Sequence, residues 1–328
     1  MTYFITGATG FIGSHIARML IQKGRCVVAL KRPQSQLLLI EDIADQIQWI
    51  DGDILDVTSL EEAVKQAEYV IHAAGVVSFG SKKMRQQMAK VNIEGTQNVV
   101  NTCLALGKTK KLCYLSSVAA IGRSPDREWV DEKGKWADME DHSFYGYTKY
   151  QGELEVWRGT AEGLSAVIVN PSIVLGTGSW DQSSLKLFKY GYEGSSVTPR
   201  GELNYVDVRD IAQATLQLLE GDVEDERFIL SAGHIPYREF FPELHQRFGN
   251  SVKMVDLKPW MAALARIVGS IQSAFGGKPL INKETISSGN AQTKFDGQKV
   301  TRAIPFQYAP LSDTLDWACA YFKEKADQ

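Results

Sequence analysis

The chain has 328 residues, 44% of them hydrophobic and 23% charged, with a net charge of −3. That is enough for two domains, or for one large α/β domain with an appended lobe. Charges of both signs are scattered, which argues against a basic face for nucleic acid, and no apolar run approaches the ~18 residues that cross a bilayer.

Tyr3-Phe4-Ile5-Thr6 is short, apolar and β-prone. A strand this early leaves no room for a signal peptide, so a cytoplasmic location is expected. The strand runs into Gly7-Ala8-Thr9-Gly10-Phe11-Ile12-Gly13, and Ile12, Ile16, Met19 and Leu20 continue at helical spacing. Strand, glycine turn and helix together form the context in which such a loop binds a dinucleotide diphosphate. Gly7 turns the chain off the strand, Gly10 lets the backbone approach the phosphates, and Gly13 lets the helix pack on the sheet. The helix start offers its unpaired N–H groups to the anion, so Gly7, Thr9, Gly10, Phe11, Ile12 and Gly13 are assigned to the cofactor.

Cys26 to Leu30 reads as a second strand, and Lys31-Arg32 follows it. An acid at that point would accept the ribose 2′-OH of NAD, whereas a cation suits the 2′-phosphate of NADP. Lys31 and Arg32 therefore favour NADP over NAD. Gln48-Trp49-Ile50 is a third strand, ending near Asp53. Thr58 is expected to cap a helix through Gln66, with Glu61 completing a capping box. Tyr69 to His72 is a fourth strand, followed by Ala73-Ala74-Gly75. A long helix from about Met84 to Leu106 precedes a fifth strand, Leu112 to Leu115.

A polar loop from Ile121 to Phe144 carries Trp129 and Trp136. A helix from Tyr145 to Ala161 and a sixth strand, Ala166 to Val169, come next. Beyond Pro171 the regularity loosens. Gly176 to Glu202 is rich in Gly and Ser, a helix is expected over Val206–Glu220, a strand over Phe228–Ser231 and a helix over Arg238–Phe248. An apolar helix is expected over Pro259–Phe275, as a substrate lid or core helix rather than a membrane contact. The four cysteines, Cys26, Cys103, Cys113 and Cys319, form no CxxC pair and are expected to be buried free thiols in a reducing compartment.

Short, near-continuous apolar strands alternating with helices predict an α/β fold. Its core is a doubly wound parallel (Rossmann) sheet, with ligands at the carboxyl ends of the strands. Residues 1–170 are assigned to the NADP-binding domain, and 171–328 mainly to a smaller, non-contiguous substrate lobe.

Tyr145-Gly146-Tyr147-Thr148-Lys149 places a phenol and an ammonium at i and i+4 on one helix face. An adjacent ammonium lowers a phenol's pKa, which would make Tyr145 a general acid/base at a carbonyl or carbinol oxygen. Ser116-Ser117 follows the fifth strand, where a hydroxyl can steady that oxygen.

Taken together, the glycine loop, the Tyr-Lys pair and the segments between them resemble the extended short-chain dehydrogenase/reductases, over more than half of the chain. The resemblance implies that late strands and helices from about 204 to 232 return to the first domain. It makes Ser117 rather than Ser116 the catalytic serine, with Tyr145 and Lys149, and adds Asn92, from Lys90-Val91-Asn92-Ile93-Glu94-Gly95-Thr96, as the holder of a relay water. Lys149 is also expected on the nicotinamide ribose, and Tyr145 beside the cofactor. Asp53 and Ile54 would meet the adenine, and Ala73, Ala74 and Gly75 would lie against the riboses. In Asn170-Pro171-Ser172-Ile173-Val174-Leu175-Gly176, Pro171, Ile173 and Val174 would border the carboxamide. His72 is expected to be a hydrogen-bonded core residue rather than a catalyst.

Departures from the family narrow the substrate. Dehydratases carry an Asp-Glu pair where this chain has Val118 and Ala119. Epimerases carry a diphosphate-binding arginine where it has Leu203, with Arg200 or Arg209 as substitutes. Val77, Phe79, Trp129, Trp136, Phe144 and Trp180 suggest an apolar pocket, with Val77, Phe79, Ser117 and Phe144 assigned to the substrate. The chain then resembles the dihydroflavonol-reductase-like and 3β-hydroxysteroid-dehydrogenase-like branch. The expected activity is NADP-dependent reduction of an apolar aldehyde or ketone, or oxidation of the alcohol. The alternatives are a sugar-nucleotide epimerase and a non-catalytic NADP-binding sensor or scaffold. No metal is expected. A homodimer through helices near residues 92–106 and 145–160 is a further implication of the resemblance.

Overall fold

The computed structural model describes residues 1–78, 81–123, 128–136, 143–258 and 289–327. Its strands are β1 (Thr2–Thr6), β2 (Cys26–Lys31), β3 (Ile47–Asp51), β4 (Tyr69–His72), β5 (Lys111–Leu115), β6 (Trp129–Val130), β7 (Ala166–Pro171), β8 (Ile173–Leu175), β9 (Val197–Thr198), β10 (Glu202–Asp207), β11 (Glu226–Leu230), β12 (Gly233–Pro236), β13 (Val255–Asp256) and β14 (Lys294–Phe295). The helices named below are α1 (Phe11–Gln22), α2 (Val57–Val64), α3 (Lys82–Ala89), α4 (Gly95–Leu106), α5 (Phe144–Ala161), α6 (Lys186–Tyr192), α7 (Val208–Glu220) and α8 (Tyr237–Phe248), with a C-terminal helix Leu311–Ala326.

Seven parallel strands form the central sheet in the order β11-β7-β5-β4-β1-β2-β3. Alternation along β1 decides the two faces. Tyr3 and Ile5 enter a core with Ile16 and Leu20 of α1 and Ile211 and Leu218 of α7. Phe4 enters the opposite core with Leu60 of α2, Val99 and Val100 of α4 and Val156 of α5. Helices thus cover both faces, as strands buried on both sides require. After β3 the chain crosses back to lay β4 on the other side of β1, so the crevice that receives ligands opens at the carboxyl ends of β1 and β4.

Beyond Pro171 the chain leaves the central sheet. β8 pairs with β10, and β10 with β12, in a separate three-stranded sheet. A third core, including Leu175, Phe188, Leu203, Phe240, Leu244 and Phe322, unites that sheet with α6, α8 and the C-terminal helix. Within 204–232, α7 and β11 lie with the central sheet, whereas β10 belongs to the second one.

Several local expectations are corrected. Asp56, not Thr58, caps α2: its carboxylate accepts from the Thr58 amide at 3.1 Å and from the Ser59 hydroxyl. A charged acceptor at the positive end of a helix outcompetes a hydroxyl two residues on. Val206 and Asp207 end β10, and Asp207 caps α7 through the Arg209 amide at 2.7 Å. The long helix before β5 is α3 and α4 joined by a π-helical turn at Lys90–Glu94. Cys103, Cys113 and Cys319 are buried free thiols, but Cys26 is exposed because it opens β2 at the rim of the sheet. The predicted helix over Pro259–Phe275 lies outside the described residues. Among the described residues, no helix is long and apolar enough to cross a membrane, and no cluster of His, Cys, Asp and Glu is arranged to hold a metal.

Candidate active site

The opening turn is shaped by close approaches that only glycine permits. Gly7 has φ 77°, and an ideal Cβ on it would lie 2.6 Å from the Ala74 nitrogen. A Cβ on Gly13 would lie 2.1 Å from the Gly7 carbonyl oxygen. Gly10 caps α1, no side chain bonds that helix end, and its first turn contains no acid. The amides of the first turn, at Phe11, Ile12 and Gly13, therefore face the crevice side without helical partners. The Thr9-Gly10 stretch bridges the strand and this helix start, with the Gly10 amide on the Gly7 carbonyl at 3.0 Å. An uncapped positive helix end beside a glycine-rich turn fits a dinucleotide diphosphate.

The other assigned cofactor residues surround that crevice. The amides of Ala73 and Ala74 are tied to the Thr6 carbonyl (3.1 Å) and hydroxyl (3.2 Å), which holds Ala73-Ala74-Gly75 against the glycine turn. Asp53 accepts from the Leu55 amide at 3.0 Å, and Ile54 is buried against Gly95. At the end of β2, Lys31 is paired with Asp51, while Arg32 is exposed. Pro171 ends β7, and Ile173 and Val174 lie in β8, the edge strand beside β10, where the Val174 carbonyl accepts from the Ser184 hydroxyl at 2.5 Å.

The candidate catalytic groups converge at the carboxyl end of β5. Ser143 caps α5 by accepting from the Gly146 amide at 3.0 Å, which fixes where Tyr145 begins its turn. Tyr145, Lys149 and Glu153 then recur every four residues on the face toward β5. Ser117 stands beside the Tyr145 phenol, near enough to favour its ionised form. Ser116 instead donates to Glu153 at 2.6 Å. The neighbouring serines thus face different partners, and it is Ser117 that meets the phenol.

Electrostatics correct one expectation. Burial pushes the Tyr145 phenol up to about 12, with the neighbouring Ser117 hydroxyl pulling the other way. The Lys149 ammonium does not acidify it. That group donates to the Leu115 carbonyl at 2.6 Å and lies over the Tyr114 ring, 4.3 Å from its centroid. Lys149 is itself brought down to about 7 by burial, opposed by the Glu153 carboxylate.

Asn92 sits in the π-helical turn, a feature that often marks functional sites. Its Oδ1 accepts from the Val76 amide at 2.8 Å, and its Nδ2 donates to the Val76 carbonyl at 2.9 Å and to Thr148 at 3.0 Å. Both amide hydrogens are engaged, so the side chain ties the loop after β4 to α5 and has no donor left for a relay water. A Cβ on Gly75 would stand 3.5 Å from Asn92 Oδ1 and 3.7 Å from Lys149 Nζ, which places that loop directly over the lysine.

Two buried networks lie behind the site; the sequence reading missed the first and anticipated only the buried, hydrogen-bonded His72 of the second. In one, Glu153 accepts from Ser116 and Asn170, each at 2.6 Å, and pairs with Arg227 at 3.0 Å. Arg227 also holds the Glu132 and Gly134 carbonyls, and Asn170 donates to the Ser117 carbonyl at 2.9 Å. The i+4 repeat after Lys149 was the available signal for Glu153; nothing local marks Arg227. In the other, His72 is fully buried between Thr6 (2.7 Å) and Thr96 (3.0 Å). The Thr6 hydroxyl oxygen accepts from Ala74, so its hydrogen goes to His72 Nδ1. His72 Nε2–H then donates to Thr96, whose own hydrogen goes to the Asn92 carbonyl at 2.7 Å. One neutral tautomer satisfies every member.

The proposed apolar pocket is only partly assembled. Phe144 packs near Tyr147 at 6.0 Å beside Tyr145, and Val77 is exposed. Phe79 lies outside the described residues. Trp136 stacks on Tyr150 at 4.7 Å and donates to the Ala120 carbonyl at 2.5 Å, a wall of the site rather than a free surface. Trp129 is exposed beside His234, and Trp180 packs on Phe322 at 4.6 Å in the second lobe. Leu203 is fully buried in that lobe, Arg200 pairs with Asp256 at 3.6 Å, and Arg209 is committed to Asp207 at 2.6 Å.

Comparison with known proteins shows the family and the fold. Residues 3–231 match the model of the NAD dependent epimerase/dehydratase family. A putative dihydroflavonol 4-reductase of Synechocystis is 25% identical, over 98% of this chain and 94% of its own. Cinnamoyl-CoA reductase 1 of Petunia hybrida is 30% identical, over 73% and 77%. The crystal structure of gox2253 superposes with a TM-score of 0.83 at 28% identity, covering 99% of this chain and 98% of that one.

Proposed function

The chain belongs to the NAD dependent epimerase/dehydratase family and is an NAD(P)-dependent oxidoreductase, and from that premise we propose that it is an NADP-dependent reductase of an aldehyde or ketone with a largely apolar body. The observation that carries the proposal is the placement of Ser117 beside the Tyr145 phenol at the carboxyl edge of the sheet, with Lys149 one helical turn along. When bound, the reduced nicotinamide supplies the hydride, and the chain's own residues handle the oxygen and the proton. Ser117 orients the carbonyl oxygen. Tyr145, protonated at neutral pH because its phenol sits near 12, donates the proton to that oxygen. Lys149 and the Asn92 tether hold the helix and the loop after β4 in register around it. Gly7, Gly10 and Gly13 with the start of α1 would hold the diphosphate, and Arg32 the 2′-phosphate.

Reduction is preferred over sugar-nucleotide epimerisation because Arg209 is tied to Asp207 and Leu203 is buried, so neither is a diphosphate anchor. Relatives named as reductases point the same way. A non-catalytic sensor role fits poorly with a retained Ser117, Tyr145 and Lys149. The outer face of α4 and α5, where Leu154 is exposed, is the surface proposed for pairing with a second copy, and the cytoplasm the proposed location.

The test is NADPH against NADH oxidation over a panel of aldehydes, ketones and UDP-sugars. Turnover of carbonyl compounds with NADPH, falling ~10²-fold or more in Tyr145→Phe, is the expected result. Full turnover in that variant, or micromolar binding of UDP-sugars with no carbonyl reduction, sinks the proposal.

A further inference from the structure

Arg123 is a partly buried cation that meets no anion among the described residues. It follows Gly122 on the loop that leaves β5 with Ser117. Its guanidinium lies over the Phe295 ring, 5.3 Å from the centroid. Phe295 belongs to a small apolar cluster with Val118, Ile121 and Val130, and Val118 is the residue after Ser117. Arg123 Nε is shut off from solvent and has no hydrogen-bond partner. Among the described residues no carboxylate acts on the group: burial alone shifts it, and shifts it down. Arg227 and Arg209 show the contrast, each facing a carboxylate in the fold.

Shutting one guanidinium nitrogen off from water without a partner costs stability, and an external anion would offset that cost. The planar fork of N–H donors fits carboxylate or phosphate oxygens, and an aromatic face beneath it fixes its plane.

We propose that Arg123 anchors an anionic group of the substrate, a carboxylate or a phosphate, at the carboxyl edge of the sheet on the loop that carries Ser117. The substrate is then a carbonyl compound with an anionic end rather than a wholly apolar one. The identification of the ligand as substrate rests on the reductase proposal; the anion site itself does not.

Calorimetric titration of the full chain, with and without NADP⁺, separates the two. Benzoate, phenyl phosphate and neutral benzamide are the probes. The expected result is that benzoate or phenyl phosphate binds at least about tenfold more tightly than benzamide. Arg123→Met should erase that preference and Arg123→Lys should keep part of it. The tighter of the two anions tells carboxylate from phosphate. Arg123→Met should also raise the ligand-free Tm, because it removes an uncompensated charge and keeps an apolar side chain over Phe295. Equal binding of all three probes to the wild type, an anion preference that survives in Arg123→Met, or a lowered Tm overturns the assignment. Arg123-dependent anion binding in a protein that reduces no carbonyl retires the reductase proposal alone.

Discussion

Glu153 stands one helical turn beyond Lys149 on α5, and its carboxylate opposes the burial that brings the lysine down to about 7. The same carboxylate meets Arg227 at 3.0 Å, so one group serves both the site and the packing behind it. Glu153→Gln keeps the hydrogen-bonding shape but removes the charge. Breaking one side of a buried ion pair costs about 3–5 kcal/mol, and a loss of that size is expected in urea unfolding. The Lys149 titration, followed by NMR of its ε-methylene, should move below its wild-type midpoint. An unchanged lysine midpoint would show that Glu153 is only a structural partner of Arg227.

His72 predicts acid sensitivity. Burial, aided by the Lys149 charge, takes its imidazole from 6.5 down to about 3. Between those values the unfolded chain binds a proton that the folded chain refuses, so stability falls as pH drops. The limiting slope is about 1.4 kcal/mol per pH unit. Wild type should therefore lose stability relative to His72→Gln as pH is lowered from 6.5 to 4. Parallel curves for the two proteins would refute the buried neutral tautomer.

Cofactor preference should reside in Arg32 rather than Lys31. Lys31 is already paired with Asp51, whereas Arg32 is exposed at the end of β2. Arg32→Ala should weaken NADPH by about tenfold or more relative to NADH, as a lost charged contact implies. Lys31→Ala should shift the ratio less. A fluorescence titration of both cofactors decides, and a larger effect at Lys31 would reverse the assignment.

Gly13→Ala should damage the cofactor site before the rest of the fold. Its Cβ would enter the space of the Gly7 carbonyl at 2.1 Å, forcing α1 away from the turn. Overpacking of this kind costs about 1–3 kcal/mol. NADPH affinity should fall by more than the stability loss alone explains, as read by titration under conditions where the variant is folded. Wild-type affinity would show that this close approach does not shape the diphosphate cradle.

The sheet strands, the glycine turn and the Tyr145–Lys149 spacing were legible in the sequence because each is local. Alternation, sharp turns and the four-residue helical repeat are written in neighbouring residues. The tie of Ser116 to Glu153 needed the position of α5. The direction of the Tyr145 shift, the Lys149 hydrogen bond to Leu115, and the pairing of Glu153 with Arg227 across 74 residues needed the whole fold. So did the dispersal of Trp129, Trp136 and Trp180 to three different surroundings. Periodicity determines which elements form and which face they bury. Burial depth, hydrogen-bond partners and the charge a group carries depend on chain segments far away in sequence, so only the tertiary structure could decide them.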